Sequence, residues 1–145
     1  MWHDRMLAVR MLAFAAFVPL LMRLPLGALA RLLTRAVPSA VCTDGEIRRL
    51  HECYQTVIRR GSRFVRPGCL TRGVTLFYFL RKAGLEVDLV FGVGRVEGRF
   101  VGHCWLVRED GPFLEARDPR PLYTETYRIS GRRSRAPGAE PKAAC

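Results

Sequence analysis

Among the five cysteines of this 145-residue chain, Cys69 occupies the position best suited to a nucleophile. It follows Pro67 and Gly68 at the start of a predicted helix. The unpaired amide hydrogens and the positive end of the helix dipole at such a position stabilise a thiolate, and the same amides can donate to an oxyanion. A cysteine at a helix start is more often structural than catalytic, so Cys69 needs a partner to become a catalytic candidate.

His103 is the candidate for that partner. It is the only histidine in the C-terminal half of the chain, and it lies in a predicted strand within Gly102-His103-Cys104-Trp105. Imidazole titrates near neutral pH and can take the proton of a thiol. The spacing allows the pair, because the helix that Cys69 opens must pack on this sheet. The alternative is a core histidine that is hydrogen-bonded to a backbone carbonyl.

A third group orients the imidazole in sites of this kind by accepting its second N–H. Glu115 is the first candidate, because its predicted strand runs antiparallel beside that of His103 after a tight turn. Asp118, beyond the strand end, is the second candidate. The alternative is that both are surface carboxylates, paired with Arg117 or Arg120.

The cysteine spacing argues against a metal site or a disulfide framework. There is no Cys-x-x-Cys pair, so a tetrahedral zinc site is not expected. The number of cysteines is odd and their spacing irregular, whereas disulfide frameworks typify short secreted chains. We therefore expect free thiols in a reducing compartment, with no metal and no cofactor.

The charge balance favours an acidic partner. The formal net charge is +11 and comes almost wholly from arginine, since Lys82 and Lys142 are the only lysines. A basic balance suits nucleic acid, an anionic membrane surface or an acidic peptide. Nucleic acid is the weakest of these, because the arginines follow no recognised motif and the aromatic residues lie at core spacing.

An apolar stretch with interspersed arginines fills residues 6–35. Its uninterrupted apolar run, residues 11–22, is shorter than the roughly twenty residues that a membrane span needs. Three interpretations stay open: a signal peptide, a helix on a membrane surface or on a partner, and a broken helical hairpin that covers the domain's own core. We place this segment at 1–37, a catalytic domain at 38–130 and a disordered basic tail at 131–145.

The remaining pattern predicts a helical part followed by strands. Apolar residues at helical spacing predict a helix over 46–60, capped by Thr43 or Asp44, and a buried helix from Cys69 to about residue 83, ended by Gly84. Alternation then predicts three strands, at 87–91, 100–107 and 113–115, separated by turns at 94–98 and 109–112. A buried helix followed by an antiparallel meander is an α+β arrangement.

Four short motifs follow one another along the predicted domain. They are Cys-Leu-Thr-Arg at 69–72, Leu-Arg-Lys-Ala-Gly at 80–84, Phe-Gly-Val at 91–93 and His-Cys-Trp-Leu-Val at 103–107. These motifs resemble those of the transglutaminase-like leader peptidases of lasso-peptide biosynthesis. In that family Cys-Leu-x-Arg opens the nucleophile helix, an arginine-rich turn ending in glycine closes it, a Gly-Val strand follows, and a His-x-Trp strand carries the base. The resemblance covers roughly residues 43–115.

The resemblance implies a transglutaminase/papain-like core, with the nucleophile helix packed on a small antiparallel sheet and an apolar N-terminal helical segment. It implies a cysteine protease that removes the leader of a ribosomally synthesised precursor through a thioester. Cys69 would be the nucleophile, His103 the base, and Glu115 would replace the usual Asp. Arg72 either lies near the substrate or pairs with a carboxylate, and Trp105 is a candidate substrate contact. The alternative is a non-catalytic binding partner with the same fold.

The resemblance also implies partners and a location. The precursor peptide would be the substrate, and an ATP-dependent macrolactam cyclase would act after cleavage. A separate leader-recognition protein is expected, because no fused recognition domain is evident in this sequence. We expect a bacterial cytoplasmic protein, with residues 6–35 offering a contact to the inner membrane face.

Overall fold

The computed structural model describes residues 2–35 and 41–132, and this part of the chain contains four helices and one four-stranded antiparallel sheet. The predicted α+β class is therefore confirmed. The helices are α1 Trp2–Leu21, α2 Leu26–Thr34, α3 Asp44–Arg60 and α4 Cys69–Lys82. The strands are β1 Asp88–Val96, β2 Arg99–Arg108, β3 Gly111–Phe113 and β4 Tyr123–Ile129.

The N-terminal segment forms a broken helical hairpin that covers the core of the domain. Helix α1 packs on α3 and α4, and α2 packs on α4. Met11, Val18 and Leu29 are buried in the same apolar cluster as Phe77 of α4. The hairpin interpretation agrees with this packing, in which α1 and α2 share one apolar core with the rest of the domain. The packing concerns only the inner side of the hairpin, so it is compatible with contact of the outer side with a membrane or a partner. Most of the proposed C-terminal tail lies outside the described residues.

Helix α3 begins where the sequence predicts. Thr43 is its N-cap, and a capping box joins the Thr43 side chain to the Glu46 amide and the Glu46 carboxylate to the Thr43 amide. Its apolar face turns inward and buries Ile47, Leu50, Tyr54 and Val57. Through this face α3 packs against α1 and α4. Other helices therefore cover α4 on the side that does not face the sheet.

Helix α4 is the buried centre of the molecule. Val74, Leu76, Phe77 and Leu80 have no exposed surface at all. The helix ends as predicted, because Gly84 adopts φ of 98°, a left-handed conformation that suits glycine. The helix therefore holds Cys69, at its first turn, in a fixed position.

The sheet has the strand order β3-β2-β1-β4. Strands β1 and β2 form a hairpin whose turn is only Glu97 and Gly98, both with positive φ, and not the whole predicted span 94–98. Strand β3 pairs with β2 as predicted but ends at Phe113, since Leu114 has a φ of 57°. Glu115 consequently lies just beyond the strand, and the predicted range 113–115 was wrong.

Strand β4 was missed by the sequence analysis. It pairs with the other side of β1, so the chain crosses from one edge of the sheet to the other between Phe113 and Tyr123. The crossing brings Tyr123 beside β1 and β2 on the face away from α4. Apolar side chains therefore cover both faces of the sheet near the middle of β2.

None of the described helices combines the length and apolar character needed to cross a bilayer.

Candidate active site

Cys69 lies half-buried at the first position of α4, where it packs partly against the apolar core and follows an open position at Gly68. Helix α4 starts with the Arg72 amide donating to the Gly68 carbonyl at 3.0 Å, and no side chain caps its N-terminus. Gly68 is in extended backbone, and a Cβ placed there would meet nothing within 4 Å. A substrate chain can therefore approach the Cys69 thiol and the free first-turn amides together.

One turn further along, α4 lies very close to strand β2. A Cβ placed at Gly73 would stand 2.5 Å from the Cys104 sulfur and 3.0 Å from a methyl of Leu89. Cys104 therefore faces α4, and it is only 2% exposed. Burial, and after it the charges of Cys69 and Glu115, raises the pKa of the Cys104 thiol strongly. Cys104 stays a neutral thiol, which makes Cys69 the better nucleophile of the two.

His103 leaves strand β2 on the opposite face from Cys104, because successive strand residues alternate between faces. Its ring stacks on Tyr123, with the centroids 4.8 Å apart, and on Trp105, with the centroids 5.9 Å apart. This aromatic stack, defined by His103, Trp105 and Tyr123, holds the imidazole on the sheet face away from α4, where Tyr123 begins strand β4. The contribution of Tyr123 was not foreseen, because it depends on the missed strand β4.

Trp105 does not have the exposure that a substrate contact requires. It is 2% exposed and forms a small buried cluster with Val90 and Val107. The sequence-based assignment of Trp105 to substrate binding is therefore corrected: the indole supports the His103 ring from within the protein.

The electrostatic surroundings keep His103 neutral near pH 7. Burial lowers the pKa of the imidazole, and the positive charge of Arg72 lowers it further. A neutral imidazole is the form that accepts a proton from a thiol. The same Arg72 charge also lowers the pKa of His51 on α3, where burial is again the larger cause.

Arg72 forms the main ion pair of the site. Its Nη2 donates to the Leu114 carbonyl at 2.9 Å and to the Glu115 carboxylate. Of the two roles left open for Arg72, the structure thus shows the pairing with a carboxylate. Burial raises the pKa of the Glu115 carboxyl, while Arg72 and the Leu106 amide act in the opposite direction.

The two carboxylates predicted for the imidazole have other partners in this structure. Glu115 is held by Arg72, because the guanidinium reaches it from the first turn of α4. Asp118 is exposed and binds Arg120, whose Nε donates to it at 2.9 Å. Neither carboxylate is hydrogen-bonded to His103, so the expected orienting bond is absent from this arrangement of the described residues.

Among the predicted residues, the structure shows Arg72 paired with Glu115 and close enough for its charge to lower the pKa of His103. No hydrogen bond joins the Cys69 thiol to the His103 imidazole. Strand β3 pairs with β2 only over Leu106–Arg108, leaving the β2 edge beside His103 without a strand partner in the described part of the chain.

Metal binding has no support in the described ranges, where no group of three His, Cys, Asp or Glu side chains is placed to hold an ion.

A comparison with models of protein families assigns the protein to a superfamily. The family model described as the transglutaminase-like superfamily matches residues 14–128, which is most of the chain. The protein belongs to the transglutaminase-like superfamily, which includes cysteine proteases. No curated protein and no solved structure matches it significantly. The match includes α2 and part of α1, in agreement with their packing on α4.

Proposed function

We propose that the protein is a cysteine peptidase that removes the leader from a ribosomally synthesised, lasso-type precursor peptide. The observation that carries this proposal is the position of Cys69, at the uncapped N-terminus of a buried helix with open space before it. The superfamily supports peptidase chemistry, and the motif resemblance supports the kind of substrate.

The reaction would proceed through a thioester. His103 takes the Cys69 proton, and the thiolate attacks the scissile carbonyl while first-turn amides of α4 donate to the oxyanion. The imidazolium then protonates the leaving amine, and the C–N bond breaks. Water, deprotonated by the same imidazole, attacks the thioester, and the acid product leaves with the thiol restored.

Formation of the thiol–imidazole pair requires the His103 ring to turn from the Trp105–Tyr123 face towards Cys69 around the free edge of β2. Catalytic hydrogen bonds are often long in unliganded enzymes and tighten when substrate binds. Arg72 binds Oε1 of Glu115, and a carboxylate has a second oxygen, so Oε2 could accept from the imidazole once His103 comes within reach. Loss of rate in Glu115→Gln, with Asp118→Asn unaffected, would assign the third member to Glu115.

The proposal also includes partners. The basic surface suits an acidic leader, and a separate leader-recognition protein and an ATP-dependent macrolactam cyclase would complete the maturation. A genomic neighbourhood with a short precursor gene and genes for these two proteins would support this composition.

The direct test uses a precursor peptide encoded beside the gene of this protein and follows its cleavage by mass spectrometry. We expect Cys69→Ala and His103→Ala each to abolish release of the leader while circular dichroism shows an intact fold. Cys53→Ala removes a half-buried thiol from α3 and should leave the cleavage unchanged. Cleavage retained in Cys69→Ala would remove the peptidase proposal.

A second candidate, a non-catalytic precursor-binding protein, is favoured by two specific observations. Glu115 is paired with Arg72, and the His103 ring lies on the sheet face away from α4. In that case the wild-type chain would bind the precursor without cutting it, and Cys69→Ala would support maturation as well as the wild type does.

A further inference from the structure

Helix α1 has two apolar faces, and the described residues, 2–35 and 41–132, cover only one of them. The inner face buries Met11, Ala15, Val18 and Leu21 in the core. A second apolar stripe recurs at three- and four-residue intervals on the opposite side of the helix. This outer stripe consists of Trp2, Met6, Val9, Ala13, Ala16, Phe17 and Leu20, all of which are exposed.

The outer stripe is flanked by cations. At about 100° per residue, Arg5 and Arg10 fall on the two borders of the stripe, one on each side. Arg23 follows in the turn, Arg31 in α2 and Arg35 at the C-cap of α2, and all five arginines are exposed. Residues 5–35 contain no Asp or Glu. The surface is therefore apolar along its centre and bordered by the arginines of the segment, while Asp4, Glu46 and Glu52 lie beside its N-terminal half.

Helix α2 continues the apolar surface. Leu26 is 40% and Leu32 is 45% exposed, whereas Leu29 and Leu33 on the other side of α2 are buried. The outer stripe of α1 is about 30 Å long at 1.5 Å per residue. An uncovered apolar surface of this length is uncommon on a protein that stays free in water.

We propose that the outer faces of α1 and α2 lie on an anionic membrane surface. An apolar stripe bordered by arginines, with tryptophan at one end, is the pattern of a helix that lies in the plane of the interface. The apolar side chains enter the acyl boundary, and the arginines contact the anionic headgroups. The absence of acidic residues from 5–35 favours this occupant over a second copy of this chain, whose own hairpin would bring like charges together.

The orientation leaves the candidate active site free. Helix α1 contacts α4 through Phe14, whose ring stacks on Tyr78 at 4.5 Å and meets Phe79 edge-on at 5.8 Å. Tyr78 is about 14 Å along α4 from Cys69, given 1.5 Å per residue. Membrane contact and access to the thiol are therefore compatible, and the proposal does not depend on the peptidase function.

Flotation of the full chain with vesicles tests the proposal. We expect the protein to float with phosphatidylglycerol-containing vesicles, to remain unbound with pure phosphatidylcholine, and to lose binding as salt screens the headgroups. Trp2 is 80% exposed and Trp105 2%, so a blue shift of tryptophan fluorescence on binding, absent in Trp2→Phe, would report insertion of the stripe.

A matched pair of phenylalanines provides the control. Phe17 lies in the outer stripe at 55% exposure, and Phe100 lies on the β1–β2 hairpin at 82%. Phe17→Gln should weaken vesicle binding about tenfold or more, and Phe100→Gln should not. Equal binding to both vesicle types, or equal loss in both variants, would overturn the proposal. So would self-association without vesicles that Phe17→Gln abolishes, because it would assign the surface to a second copy.

Discussion

The two ends of helix α4 differ in packing and in chemistry. Towards the C-terminal end, Phe77 and Leu80 have no exposed surface, and Tyr78 and Phe79 pack on Phe14 of α1. At the N-terminal end the helix is uncapped, Cys69 is half-buried and nothing fills the space at Gly68. The closely packed end fixes the helix, and the open end keeps amides and a thiol available. Variants at each end test whether one end of α4 supplies stability and the other supplies reactivity.

The largest expected difference concerns two neighbouring thiols. Cys69 at the open end should react with iodoacetamide at least about a hundred times faster than Cys104 at pH 7, because Cys104 is 2% exposed and burial raises its pKa. Peptide mapping by mass spectrometry gives the two rates. Urea-unfolded protein is the control, in which the rates should converge. Equal rates in the folded protein would show that the first turn of α4 does not distinguish its thiol.

The next largest effect concerns stability. Phe77→Ala should lower the free energy of unfolding by about 3–5 kcal/mol, since it opens a cavity at a fully buried position. Leu70→Ala, at a residue 39% exposed in the first turn of the same helix, should cost less than about 1 kcal/mol. Urea denaturation monitored by circular dichroism compares the two variants. Similar losses would contradict the contrast between the ends.

Much of this helical architecture was predictable from local patterns. Thr43 with Glu46 three residues later predicts the capped start of α3, and Gly84 predicts the end of α4. Strand β4 was missed although Tyr123, Tyr127 and Ile129 alternate with polar residues in the sequence. That alternation would have indicated the strand, but not that it pairs with β1 at the far side of the sheet.

The direction of the His103 side chain and the partner of Glu115 could not be predicted from the sequence, for a physical reason. Both faces of β2 are buried around His103, with Cys104 and Leu106 on one face and Trp105 on the other. A two-residue period assigns a face only when one side is polar, so it could not tell which way the imidazole points. The pairing of Arg72 with Glu115 joins residues 43 positions apart and depends on how α4 meets the end of β3.

A smaller effect measures the close approach of α4 to the sheet. Gly73→Ala should lower the free energy of unfolding by about 1–3 kcal/mol, because the new methyl meets the Cys104 sulfur. Gly27→Ala in α2 meets nothing within 4 Å and should stabilise by about 0.5–1 kcal/mol through helix propensity. Combining Gly73→Ala with Cys104→Ala should recover part of the loss. Opposite signs for the two glycines are the expected result in thermal denaturation.

The smallest effect concerns the charge that Arg72 brings to the open end. Arg72→Met should raise the pKa of His103 towards its usual 6.5, because the guanidinium disfavours the imidazolium. NMR titration of the ring protons measures the shift. Arg117→Met is the control and should leave the His103 titration unchanged.

The sign of the accompanying stability change follows from linkage. Because the folded pKa of His103 is lowered, the unfolded chain binds its proton first, and stability is lost as pH falls below 6.5. Arg72→Met should make this loss shallower. Glu115 acts in the opposite direction: its folded pKa is raised, so stability falls as pH rises above 4.5, and more steeply once its cationic partner is gone. An unchanged His103 titration in Arg72→Met would mean that burial alone keeps the imidazole neutral, and that Arg72 serves only to hold Glu115.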